Sequence, residues 1–119
     1  MINDVEKILF TEEQLRRRVE ELGEQLTADY AGKSPVLVSV LRGSYIFMAD
    51  LTRQVKLPIT VDFMVLSSYG SGTSSSGQVE IKKDLSDSID GKDLIIVEDI
   101  LDSGNTLYYL RDVLKARKP

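Results

Sequence analysis

The run Val36-Leu37-Val38-Ser39-Val40-Leu41 restricts this chain's folding more than any other feature. It follows a break at Gly32 through Pro35, is rich in β-branched residues and has no polar face. A strand of that kind is stable when both faces are covered, as in a parallel sheet with helices on either side. Leu94 to Val97, after the turn signal Asp90-Gly91, is a second such strand and the most hydrophobic of the chain. Ile59 to Leu66 reads as a strand after Pro58. Val79-Glu80-Ile81-Lys82 alternates in the manner of a sheet edge.

Helical patterns fall between these runs. Thr11-Glu12-Glu13-Gln14 fits a capping box that opens a helix from Glu12 to Tyr30, with Leu15, Val19, Leu22 and Leu26 on its inner face. Arg16, Arg17 and Arg18 are consecutive, so they fan around that helix as a solvated face. Tyr45 to Gln54 forms a second helix with Ile46, Phe47 and Leu51 inward. A third, Asn105 to Ala116, places Leu107, Leu110, Val113 and Leu114 on one side. It closes with Lys115, Arg117 and Lys118, which suit a helix C-terminus, and stops at Pro119. Alternating helix and buried strand implies a single α/β domain over residues 1–119, with a doubly wound, mostly parallel sheet. A last helix of this kind should lead to another parallel strand, so the sheet is expected to lack its final strands.

Composition narrows the chemistry. The chain has 15 basic and 19 acidic side chains, a formal net charge of −4, which gives no attraction for nucleic acid or an anionic membrane. No apolar run approaches the roughly 20 residues that span a bilayer, and the N-terminus lacks the order of a secretory signal. A cytoplasmic location is expected. Cysteine and histidine are both absent, so acid–base and metal chemistry falls to carboxylates.

The stretch LIIVEDILDSGNTL, Leu94 to Leu107, concentrates those carboxylates. Glu98 and Asp99 end a buried strand, and Asp102-Ser103-Gly104-Asn105-Thr106 stands where the last helix begins. On spacing alone two readings stand. Asp102 or Ser103 caps the helix, with Glu98 and Asp99 solvated. Alternatively, the consecutive amides, the two hydroxyls and the close-approaching glycine cradle a phosphate at the carboxyl end of the sheet. No Gly-Lys-Ser/Thr occurs in this stretch, so it is not a nucleotide-triphosphate loop. Leu41-Arg42-Gly43 lies at the same end of the first strand, either as a turn with a solvated arginine or as part of the site. Ser67 to Gly77 reads as a long polar loop, either solubilising or functional.

Leu94 to Leu107 resembles the phosphoribosyl-pyrophosphate motif of type I phosphoribosyltransferases: an apolar strand, two acids, two apolar residues, then Asp-Ser/Thr-Gly-x-Thr. Val40-Leu41-Arg42-Gly43-Ser44-Tyr45, Val61-Asp62-Phe63-Met64 and Ser68-Tyr69-Gly70 are similar to the bacterial hypoxanthine-guanine members. The resemblance covers essentially the whole chain, which corresponds to the N-terminal two-thirds of the family's usual length.

It implies the type I phosphoribosyltransferase fold and a purine salvage reaction. Mg²⁺-dependent transfer of phosphoribosyl from phosphoribosyl pyrophosphate to hypoxanthine or guanine would give IMP or GMP and pyrophosphate. Glu98 and Asp99 would hold the ribose diol and Mg²⁺. Asp102, Ser103, Gly104, Asn105 and Thr106 would bind ribose and the 5′-phosphate, with Asp102 also the general base. Arg42 and Gly43 would contact pyrophosphate, next to a Leu41–Arg42 bond that can be cis in relatives. Ser68 and Tyr69 would form a mobile lid. The resemblance also implies a homo-oligomer, dimer or tetramer. Family members continue beyond the position of Pro119, where they carry a purine-reading lysine, a stacking aromatic and a second metal-binding aspartate. A truncated binding module with weak or no turnover is therefore the alternative. An RNA-binding regulator of the same fold is disfavoured by the acidic charge.

Overall fold

The structure, a computed structural model, describes residues 10–68, 79–98 and 105–119. In chain order its elements are α1 (Glu12–Asp29), β1 (Val36–Leu41), α2 (Tyr45–Gln54), β2 (Thr60–Ser68), β3 (Val79–Lys83), β4 (Leu94–Val97) and α3 (Asn105–Lys115). Among the described residues the strands form one sheet in the order β3-β2-β1-β4. β1 pairs in parallel with β2 and β4, and β3 joins the outer side of β2 antiparallel, as an edge strand.

Side-chain alternation along β1 divides the core into two layers. Val36, Val38 and Val40 pack with Met64, Ile89, Leu110 and Leu114 on the α3 face. Leu37 turns to the other face and joins Met48, Leu51 and Val97, against which Val19, Leu22 and Leu26 of α1 pack. The sheet is thus covered on both sides, as the apolar run requires. β1, rather than β4, is the most buried strand: five of its six residues are buried, against one of four in β4. Composition alone ranked β4 first, but among the described residues β4 has one strand neighbour and β1 has two.

The capping box forms: Gln14 N–H donates to the Thr11 hydroxyl and Thr11 N–H donates to the Gln14 side-chain oxygen. Arg16 and Arg18 pair with Glu13 and Glu21 on the exposed face. Two expected inward positions point outward. Leu15 is 55% exposed and Ile46 is 56% exposed. Of the expected inner face of α1, Val19, Leu22 and Leu26 pack against the second core layer. On α2 the inward face is set by Met48 and Leu51, with Phe47 at its margin. β2 also reaches two residues further than expected, taking in Ser67 and Ser68, which pair with Glu80 and Val79.

The two helices approach most closely at Gly23. A Cβ there would lie 2.3 Å from the Gln54 Cβ and 2.7 Å from its carbonyl oxygen. Thr27, one turn on, bridges the same contact: its hydroxyl donates to Gly23 O at 2.7 Å and accepts from Lys56 N–H at 3.0 Å. Gly23→Ala would gain about 1 kcal/mol in an unpacked helix, but overpacking a closed contact costs roughly 1–3 kcal/mol. Gly23→Ala should therefore be net destabilising, by up to about 2 kcal/mol, in a urea titration. A stabilised variant would show that the helices are not in close contact there.

The segment between β3 and β4 is tied to the sheet through polar contacts. Asp62 of β2 is 7% exposed, and its two carboxylate oxygens accept from Phe63 N–H at 2.8 Å and Ser86 N–H at 2.9 Å. Lys83 Nζ donates to Phe63 O at 2.9 Å. Arg117, just beyond α3, meets both carboxylate oxygens of Asp84 at 2.8 Å. That guanidinium holds the Asp84 carboxyl below the usual carboxylate range. A carboxyl with a depressed folded-state pKa contributes stability above its unfolded value, about 3.9, and loses it as pH falls through the folded value. The stability difference between the wild type and Arg117→Ala should thus be full at about pH 6 and shrink as the solution is acidified below about pH 4. Urea titrations across that range test it; a pH-independent difference would contradict the pairing.

Candidate functional site

Parallel pairing brings the carboxyl ends of β1, β2 and β4 to one edge of the sheet. Ser39 of β1 is level with Val97 of β4, and Leu41 with Val65 of β2. Arg42-Gly43, Glu98 and the end of β2 at Ser68 therefore gather at that edge, although they are far apart in sequence. α3 starts from the same region at Asn105. Arg42 and Gly43 are exposed, while Glu98 is half-buried.

The turn after β1 carries two buried hydroxyls beneath it. Ser39 and Ser44 are both fully buried, with their oxygens 2.6 Å apart, and the Ser44 hydroxyl donates to Val40 O. Ser44 stands at the N-cap of α2 but does not cap it, because its hydroxyl is turned back to the strand. Tyr45 N–H closes the turn onto Arg42 O at 3.2 Å. The Leu41–Arg42 peptide bond within this turn is cis. The hydroxyl pair staples the end of β1 to the start of α2, so Arg42 and Gly43 are presented from a braced turn. A single serine inside the apolar strand is the signal of this pair in the sequence.

The described residues place the candidate set in part. Arg42, Gly43 and Glu98 lie at the same sheet edge. Asn105 and Thr106 open α3, and Ser68 is the last residue of β2 rather than part of a loop. Tyr69, Asp99, Asp102, Ser103 and Gly104 lie outside the described residues. Among the described residues no group of three or more acidic side chains is placed to hold a metal ion. No helix among them is long and apolar enough to cross a membrane.

Residues 7–119 match the phosphoribosyl transferase domain. The chain belongs to that family. Among its relatives, the hypoxanthine-guanine phosphoribosyltransferase of Streptococcus thermophilus is 55% identical over 115 residues, 97% of this chain and 64% of that protein. The Streptococcus agalactiae enzyme of the same name is 53% identical, covering 98% and 64%. The fold is similar to that of Staphylococcus aureus hypoxanthine phosphoribosyltransferase, with a TM-score of 0.92 and 47% identity over 99% of this chain and 64% of that one. A Bacillus anthracis hypoxanthine-guanine phosphoribosyltransferase gives a TM-score of 0.90 at 44% identity, over 97% and 68%. This phosphoribosyltransferase chain spans 64% of the length of the curated relatives it matches.

The buried hydroxyls make a sharp test of how the turn is held. Removing one partner of a buried hydrogen bond costs about 1–3 kcal/mol, whereas removing both is much less costly. Ser44→Ala and Ser39→Ala should each destabilise, and the double variant by less than their sum, with a coupling of about 1 kcal/mol. Strict additivity in denaturant unfolding would show that the two hydroxyls do not act as a pair.

Proposed function

We propose that this chain carries the phosphoribosyl-pyrophosphate half of a hypoxanthine-guanine phosphoribosyltransferase active site. The observation that supports it most is the convergence of Arg42-Gly43, Glu98 and the start of α3 on one sheet edge, in a chain more than half identical to enzymes of that name. In this reading phosphoribosyl passes to N9 of hypoxanthine or guanine, giving IMP or GMP and pyrophosphate, in the cytoplasm. The protein acts as a homo-oligomer, dimer or tetramer, with small-molecule partners only.

The residues divide the ligand between them. Amides and hydroxyls from Asp102 to Thr106 take the 5′-phosphate at the start of α3, and Glu98 and Asp99 accept hydrogen bonds from the ribose diol. Arg42 and Gly43 take the pyrophosphate, and Ser68 and Tyr69 close over it and exclude water that would compete with the purine. Asp102 accepts the proton from N7 of the base as the bond to the ribose carbon forms. Half-buried Glu98 offers hard carboxylate oxygens at the end of β4, the donor type that suits Mg²⁺. Glu98 and Asp99 would hold that ion, which when bound offsets the charge of the pyrophosphate.

Calorimetric titration of the chain with phosphoribosyl pyrophosphate, with and without Mg²⁺, tests the site directly. Tighter binding with the metal is expected, and no binding by a folded chain would refute the reading. Asp102→Asn should keep helix capping and ligand binding while lowering turnover by about 10²–10⁴-fold; undiminished turnover would remove Asp102 from the base role. A wild-type chain that binds the sugar phosphate without turnover is the binding module that its 64% coverage of the relatives also allows.

A further inference from the structure

The two elements that flank the acidic loop are joined again at their far ends. Gly91 N–H, in the turn that leads into β4, donates to Lys118 O at 2.8 Å, just beyond α3. Both residues have left-handed backbone, with φ of 74° and 59°. Beside this contact the Arg117 guanidinium meets both oxygens of Asp84. Asp84 belongs to the segment that Ser86 pins to buried Asp62. β4 and α3 are therefore clamped together at the end opposite Glu98 and Asn105.

Packing along α3 is uneven. Leu110 and Leu114 are almost fully buried, whereas Leu107 is only partly buried and Tyr108 is 63% exposed. The helix is held by its second half and by the clamp beyond it. Eleven residues make a rod about 16 Å long, so a tilt of about 6° at the base moves the other end by roughly 1.7 Å. Asp84 and Arg117 are partly exposed, so their pair adds little to global stability. A bidentate pair nevertheless fixes direction.

We propose that Arg117, paired with Asp84, is a positioning residue for the site at the opposite end of α3. It touches no ligand; it sets the tilt of the helix and so the separation of Asn105 from Glu98. The ligand-binding part of this inference rests on the proposed reading of that end as a phosphate site.

The test uses the 119-residue chain with two readouts, backbone amide resonances and titration with phosphoribosyl pyrophosphate plus Mg²⁺. Arg117→Ala should shift the amides of Val97, Glu98, Asn105, Thr106 and Leu107, leave those of α1 and α2 in place, and weaken binding by about tenfold. Exchanging the charges, Asp84→Arg with Arg117→Asp, should recover much of both effects, which a generic loss of stability would not. Asp84→Asn, a milder change, should give the same pattern to a smaller extent and serves if Arg117→Ala does not fold. Unshifted amides at 97–98 and 105–107 in these variants would overturn the proposal, as would a charge exchange that recovers nothing. A wild type that fails to bind the probe refutes the phosphate-site reading, and the amide shifts still decide whether Arg117 positions α3.

Discussion

Burial of β1 on both faces is the constraint on which the rest of the molecule depends. Val36, Leu37, Val38 and Val40 are all less than one-tenth exposed, and fully burying each such side chain contributes about 1.5–3 kcal/mol. Together they outweigh the exposed ion pairs of α1, each worth about 0–1 kcal/mol. A strand covered this way needs a helical layer on each side and strand partners on both edges. α1 and α2 supply one layer and α3 the other, while β2 and β4 supply the edges in parallel. Parallel partners must be reached by crossovers, and crossovers leave every strand's carboxyl end at the same edge. The position of the candidate site is thus a consequence of how β1 is buried.

Polar groups inside these layers are few and each is satisfied. No buried side-chain nitrogen or oxygen among the described residues lacks a hydrogen-bond partner. Ser39 and Ser44 satisfy one another beneath the Arg42–Gly43 turn, and Asp62 uses both oxygens on backbone amides. Because a buried polar group without a partner costs about 1–3 kcal/mol, roughly twice what a made hydrogen bond gains, such contacts act as geometric locks. One holds the turn that presents Arg42. The other holds the segment that carries Asp84.

Membership of the phosphoribosyl transferase domain family supports the proposed reading of that sheet edge as a phosphate and ribose site. In that proposed reading, the acids and a phosphate-holding backbone would conflict if they met the same part of a ligand. A sugar bearing hydroxyls at one place and phosphates at others separates them. The chain spans 64% of the length of its curated relatives, and the proposed reading concerns the phosphoribosyl half of the site.

Much of this was legible in the sequence. The capping box at Thr11, the unbroken apolar run of β1, the turn at Asp90-Gly91 and the acid-rich motif after Val97 depend on neighbours within a few residues, where periodicity and local hydrogen bonding decide the outcome. Tertiary structure decided the rest, because partners distant in the chain set it. Leu15 and Ile46 carry the right spacing but face solvent, since periodicity marks a helix face and not which positions along it meet a neighbour. β4 is more apolar than it is buried, because strand order rather than composition determines who covers whom. Gly23 against Gln54, Ser86 against Asp62 and Arg117 against Asp84 span 24 to 33 residues of chain. No local signal marks them, because each exists only once the sheet has brought its two ends together.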